Sequence, residues 1–267
     1  MTKQFLMAFL LVGATLTLQT KRGQAQDVAP MIIKATQVFT PPDNGGDDPN
    51  PPQETTIMVY LKGNHVKSES KSDVQHTITL VDKDAKKTTQ LYENGGRKYG
   101  YYSIDTAAPR PPRLDSAGNP RQRPTTNIEY VDSTMTIAGY ACKKAIAKTS
   151  FAGRNIETVI WYTTDLPIKE PIQTGGRGFG VGGFNQLKGF PMAFNTTVFN
   201  GATIQYKVTK VTLNANVNDS EFDVPRGYDV KPESERPRGG GFGPGGGGFR
   251  VGGGGPGGGG PPPGGGF

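Results

Sequence analysis

A mainly β fold, one large curved antiparallel sheet with little helix, follows from three observations. Between Glu54 and Val230 apolar residues recur at alternate positions in run after run, Gly, Asn and Asp punctuate the runs, and a long stretch of helical period is absent. The chain holds 39 glycines and 22 prolines in 267 residues, about twice the usual combined share of roughly 12%. Nineteen of those glycines fall in residues 239–267, so much of the excess belongs to a tail. Residues 54–230 therefore read as a single β-domain.

The elements can be justified in order. Ala35 to Phe39 reads as a short strand, followed by a linker, Pro41 to Gln53, whose five prolines remove backbone donors while Asn44-Gly45-Gly46 favours turns. From Thr55 the period becomes two: Ile57, Val59 and Leu61 face one way, Thr56, Met58 and Tyr60 the other. Gly63-Asn64 then turns the chain into His65 to Ser70. Strands at His76 to Val81, Thr88 to Tyr92 and Lys98 to Ile104, with turns at Asp82-Lys83-Asp84 and Asn94-Gly95-Gly96, complete a β-meander.

Residues 105–126 carry five prolines and four arginines and read as a long exposed loop. Strands resume at Ile128 to Val131, Thr134 to Ile137, Ala141 to Thr149 and Ile156 to Tyr162, and both faces of Val159 to Tyr162 are apolar, as in a strand covered on both sides. A Gly-rich stretch, residues 175–183, precedes one expected helical turn at Phe184 to Gly189. Phe190, Met192 and Phe194 then alternate with smaller residues, and Ala202 to Leu213 is the cleanest late strand. From residue 231 a disordered Gly-rich tail is expected. Ordering each residue costs about 1–2 kcal/mol of backbone entropy, and from Pro232 onward only Phe242, Phe249, Val251 and Phe267 offer large apolar side chains to offset it.

The first 25 residues have the order of a secretory signal peptide: Lys3, an apolar run from Phe5 to Leu18, then small residues at Gly23-Gln24-Ala25. The run is shorter than the roughly 20 residues of a spanning helix. The expected location is the periplasm or outer envelope. Cleavage would remove Lys3, Lys21 and Arg22, lowering the formal charge from +7 to +4.

Composition excludes much chemistry. One cysteine permits no intrachain disulfide or multi-cysteine cluster, and His65 and His76 sit in separate strands without ligand spacing, so neither a metal nor a cofactor is expected. Gly178 to Gly183 matches Gly-x-Gly-x-x-Gly, but lacks the preceding strand and following helix that a dinucleotide requires. The Arg236 to Phe242 segment resembles an Arg-Gly-Gly element, yet carries too few cations for nucleic-acid binding to be expected. Cys142, beside Lys143 and Lys144, is read either as a reactive thiol or as a small buried strand residue. Asp82, Asp84, Asp132 and Asp165 fall at turns, where backbone hydrogen bonding explains them, and Ser, His and Asp are not placed together by a local signature, so no enzyme is expected.

Four segments in order carry a resemblance: Thr56 to Val66, Ile137 to Ala145, Phe190-Pro191-Met192, and Phe222 to Tyr228. Together they resemble an uncharacterised family of exported bacterial proteins, domain of unknown function 4412, across roughly Thr55 to Tyr228. That family is in turn similar to the lipoprotein carriers LolA and LolB, which implies an unclosed barrel sheltering acyl chains. This chain departs from the carriers by lacking long helices and by its Pro-rich and Gly-rich insertions. The expected function is non-catalytic binding of an apolar or amphipathic partner, a lipid or lipoprotein acyl chain, at Trp161, Phe190, Met192 and Phe194, with core packing the alternative role for those side chains. A structural protein contacting envelope or matrix components through the Gly-rich tail is the competing expectation.

Overall fold

The computed structural model describes residues 29–43, 51–106, 125–151, 153–168, 184–198 and 201–237. They form twelve strands: β1 (Met31–Thr40), β2 (Gln53–Lys62), β3 (His65–Lys71), β4 (His76–Asp82), β5 (Lys87–Asn94), β6 (Arg97–Ile104), β7 (Thr125–Ile137), β8 (Tyr140–Phe151), β9 (Arg154–Thr163), β10 (Phe190–Thr197), β11 (Thr203–Leu213) and β12 (Asp229–Pro232). Helix among the described residues is confined to 3-10 turns at Phe184–Gln186, Asp219–Phe222 and Glu233–Glu235. The mainly β expectation holds, and the sheet is unclosed: its order runs β12-β6-β5-β4-β3-β2-β1-β11-β10-β9-β8-β7.

Two antiparallel meanders, β2 to β6 and β7 to β11, are joined along β1, which pairs with β2 on one side and β11 on the other. The sequence reading sets this strand outside the domain with a linker behind it, whereas the structure makes it the seam of the sheet. Met31 and Ile33 are fully buried there, and β1 pairs with β2 along nearly its whole length, with Phe39 opposite Gln53. β1 belongs to the sheet through hydrogen-bonded partners on both edges, which local periodicity does not reveal.

One face of β1 and its neighbours is continuous. Ile33 faces Val59, Ala35 faces Ile57 and Val208, Tyr206 faces Phe194, and Phe194 faces Ile160. Connecting residues Leu166, Ile168, Phe184 and Leu187 pack onto this cluster, so aliphatic and aromatic side chains fill the face. Phe194 and Tyr206 stack with ring centroids 5.0 Å apart.

Farther along the same face, β3 to β5 change character. The row Ile33, Val59 continues as Ser68, Thr79 and Gln90. Ser68 and Thr79 are each only 2% exposed, and their hydroxyls have no hydrogen-bond partner among the described residues. On the opposite face of this meander, Ile78, Leu80 and Leu91 form a smaller cluster against Tyr228 and Val230. Gly100 permits that packing: a β-carbon there would stand 2.6 Å from Leu91 Cδ2 and 2.7 Å from Gln90 O.

The domain also runs further than its expected end at residue 230. β12 continues through Pro232, parallel to β6, and Arg236 places its guanidinium 5.7 Å from the Tyr92 ring centre and 5.3 Å from that of Tyr101. The strand hydrogen bonds and cation–π contacts offset ordering beyond the point where apolar content ends. The expected signal peptide, the Gly-x-Gly-x-x-Gly stretch and the tail from residue 238 lie outside the described residues.

Candidate functional site

The four side chains singled out by sequence all lie in or against the main core cluster. In β10 a bulge between Pro191 and Ala193 shifts the pairing, so Phe190 lies opposite Thr163 and Phe194 opposite Ile160. Those two partners are three residues apart on β9, and the two phenylalanines therefore meet opposite faces of it. The expectation that Phe190, Met192 and Phe194 share one face rested on unbroken alternation, which the bulge interrupts. Phe190, Met192 and Phe194 are 4%, 0% and 7% exposed and belong to the main core. Trp161, half-buried, packs against that core and lies opposite Ala193 and Lys144, on the other side of β9 from Ile160. Packing already occupies these side chains.

Cys142 takes the buried of its two readings. It is 0% exposed, its thiol donates to the Tyr140 carbonyl at 3.4 Å, and burial pushes its pKa up. Burial, and not the adjacent Lys143 and Lys144, sets the direction of that shift.

A cavity of about 410 Å³ lies elsewhere, between the β3–β5 meander and the segment that follows β11. Leu80, Phe222 and Val224 supply apolar walls, and His65, Asp82, Lys87, Thr89, Asp219 and Asp223 supply polar ones. Residues 65–66, 80–82, 87 and 89 contribute from the sheet because β3, β4 and β5 run through tight hairpins, which bring His65 opposite Asp82 and Asp82 opposite Lys87. The cover is the 3-10 turn Asp219–Phe222 and the residues after it.

Ion pairs hold the cover to the sheet. Lys62 Nζ donates to Asp219 Oδ1 at 2.7 Å and to the Val217 carbonyl at 3.1 Å. That hydrogen bond, with the charge of Lys62, lowers the Asp219 pKa. Lys67 Nζ donates to Glu221 Oε2 at 2.8 Å and lies 3.6 Å from Glu69. Burial pulls the Lys67 pKa down, but the Glu221 hydrogen bond and the two carboxylate charges outweigh it, so the net direction is up. The His65 and Phe222 rings meet at 5.6 Å. Beyond them Glu69 and Glu93 flank His76 at 2.7 and 3.4 Å.

At the cavity rim the structure assembles a group that sequence spacing does not reveal. His65, Asp82 and Asp84 bring one potential ligand atom each to within 4.8 Å of one another. His65 belongs to one hairpin and both aspartates to another, separated by seventeen residues or more. Asp82 Oδ1 also accepts from the Ala85 amide at 2.9 Å, the turn role expected of it. The remaining cavity residues were equally hidden, although Phe222 and His65 both occur in segments that carried the family resemblance.

The class defined by this fold and cavity is an open β-sheet protein with a covered, mixed polar and apolar cleft. No protein-family signature matches the chain, and no curated protein matches it. Among solved structures, it is similar to PNGF-II in its P21 crystal form, with 16% identity over 76% of this chain and 32% of that one, at a TM-score of 0.41. The C2 form gives 14% identity over 77% and 32%, at 0.40. The chain thus spans about a third of the length of PNGF-II. A β-barrel-like protein of domain of unknown function DUF1849 from Brucella abortus gives 8% identity over 70% of this chain and 98% of that one, at 0.35. Likeness at these scores carries no statement about activity, and the relationship to domain of unknown function 4412 or to LolA and LolB is not shown by these comparisons.

Proposed function

We propose that the chain is an exported envelope protein that binds an amphipathic partner, such as a lipid or lipoprotein acyl chain, without transforming it. The observation that supports this is the cavity under the 219–224 cover. Its volume falls in the roughly 300–1,000 Å³ range of small-molecule sites, and it sets apolar walls at Leu80, Phe222 and Val224 against charged groups of both signs. An apolar portion would gain about 25 cal/mol for each Å² removed from water, while a polar head would lie toward His65, Lys87 and Asp82. In this reading Phe190, Met192 and Phe194 hold the sheet's shape and the cover gates entry.

Native mass spectrometry of the protein purified without detergent from its own envelope fraction tests the reading. The expected result is an added mass that disappears on organic extraction, with a fluorescent fatty-acid probe competing for the emptied site. Phe222→Ala should weaken probe binding about tenfold, the equivalent of roughly 1.4 kcal/mol. A bare mass together with probe binding unaffected by Phe222→Ala would overturn it. Loss of envelope association on deletion of residues 238–267 would then favour the tail-mediated structural role.

A further inference from the structure

The geometry points to a divalent-cation site at the cavity rim, formed by His65, Asp82 and Asp84. The site shares two residues with the proposed binding cleft, so an ion there would face the cleft's occupant, but its own evidence and test stand apart from that reading.

The donor set comes first. One imidazole nitrogen and two carboxylate oxygens within 4.8 Å of one another form a mixed N/O set of the kind that suits zinc and its neighbours in the first transition row. Each donor must move by less than about 1 Å to reach the roughly 2.0–2.2 Å bonds of a zinc-type ion. Rotation of an Asp side chain at a surface turn covers that distance.

Tertiary structure holds the donors together. The turn that carries Asn64 and the turn that carries Asp82 and Asp84 are tied by a backbone hydrogen bond from Lys83 N to Asn64 O at 3.1 Å. Asn64 Nδ2 donates to one Asp84 oxygen at 2.7 Å, which orients the carboxylate and leaves its second oxygen for a metal. Phe222 packs against the His65 ring from the cover side, restricting the imidazole's freedom.

Two neighbouring cations are directed elsewhere. Lys87 is opposite Asp82 in register, yet its ammonium lies over the Tyr102 ring, 4.9 Å from the centre. Lys62 is engaged by Asp219. Because His65 and Asp82 also line the cavity, coordination positions not taken by protein open toward its interior. Three protein donors with open positions are the arrangement that lets a zinc-type ion bind an exogenous oxygen.

The test uses the purified protein stripped with chelator and titrated with Zn²⁺ by calorimetry and with Co²⁺ by visible absorption. The expected result is one ion per chain at micromolar affinity, with Co²⁺ d–d bands that report a nitrogen and oxygen ligand set. His65→Ala and Asp82→Asn should each weaken binding at least about tenfold, and Asn64→Ala, which removes an orienting contact, by a similar or smaller factor. His76→Ala should leave it unchanged. Asp84→Asn, which keeps the side-chain shape at an exposed turn, gives the same reading if His65→Ala fails to fold. Absence of d–d bands, or binding unchanged by His65→Ala and Asp84→Asn, would overturn the site. Tighter Ca²⁺ or Mg²⁺ than Zn²⁺ binding would also overturn the assignment of an imidazole ligand.

Discussion

The two meanders solve the same burial problem differently. Around β1, β10 and β11 one face is filled by Ile33, Val208, Phe194 and Ile160, and stability there comes from apolar area and close packing. In β3 to β5 the corresponding face carries Ser68 and Thr79, while the opposite face divides between Ile78, Leu80 and Leu91 and a set of charged groups clasped by the cover. A self-filled core leaves little to exchange with a partner. The polar half is instead closed by a cover held through ion pairs, and the cavity lies under it.

Breaking the packed half should have the largest effect. Ile33→Ala should destabilise the protein by about 2–5 kcal/mol through lost burial and a residual cavity, measured as a lower midpoint in urea. Gly100→Ala should follow at about 1–3 kcal/mol, since its methyl would press on Leu91 and on the Gln90 carbonyl. Leu91→Ala should cost less in that background than in the unaltered protein, a coupling that distinguishes crowding from simple strand propensity.

The hydroxyl face predicts an effect of opposite sign. Thr79→Val removes a buried hydroxyl without a partner and should stabilise by up to about 1 kcal/mol, read as a raised unfolding midpoint. A loss would show that the hydroxyl does have work to do within the sheet. The smallest change is expected at the end of β12: Arg236→Ala should cost about 0.5–1 kcal/mol through its contacts with Tyr92 and Tyr101, seen as faster amide exchange in residues 229–236.

The cover should also respond to pH. Lys67 has a raised pKa, so its contribution is present below the ordinary lysine value of about 10.4 and is lost as pH climbs through the folded one. Asp219 has a lowered pKa, so its contribution is present above the ordinary aspartate value of about 3.9 and is lost as pH falls through the folded one. Proteolytic nicking of residues 217–224 should therefore be slowest between these limits, with β1 and β11 protected throughout. Equal nicking inside and outside that window would break the link between these ion pairs and cover closure.

Much of the fold was legible because alternation is local. Ile57, Val59 and Leu61 announce β2, and Gly63-Asn64 announces the next turn, from neighbours alone. β1 was legible as a strand but not as the seam, because its two partners are distant in sequence. The candidate site was less legible for the same reason. Phe190 and Phe194 look equivalent until the bulge at Met192 separates their faces, and nothing near His65 indicates Asp84.

The segments that carried the family resemblance show how distant stretches become neighbours. Thr56 to Val66 and Phe222 to Tyr228 meet at the His65 and Phe222 rings, while Ile137 to Ala145 and Phe190 to Met192 contribute Ile137, Cys142, Phe190 and Met192 to one core. Sequence by itself determined strand content, hairpin turns and the scarcity of helix, because side-chain alternation and turn chemistry act over a few residues. Tertiary structure alone decided strand order, the central place of β1, the burial of Cys142 and the union of His65 with Asp82 and Asp84. Those depend on register and on contacts between chain segments whose separation leaves no periodic trace.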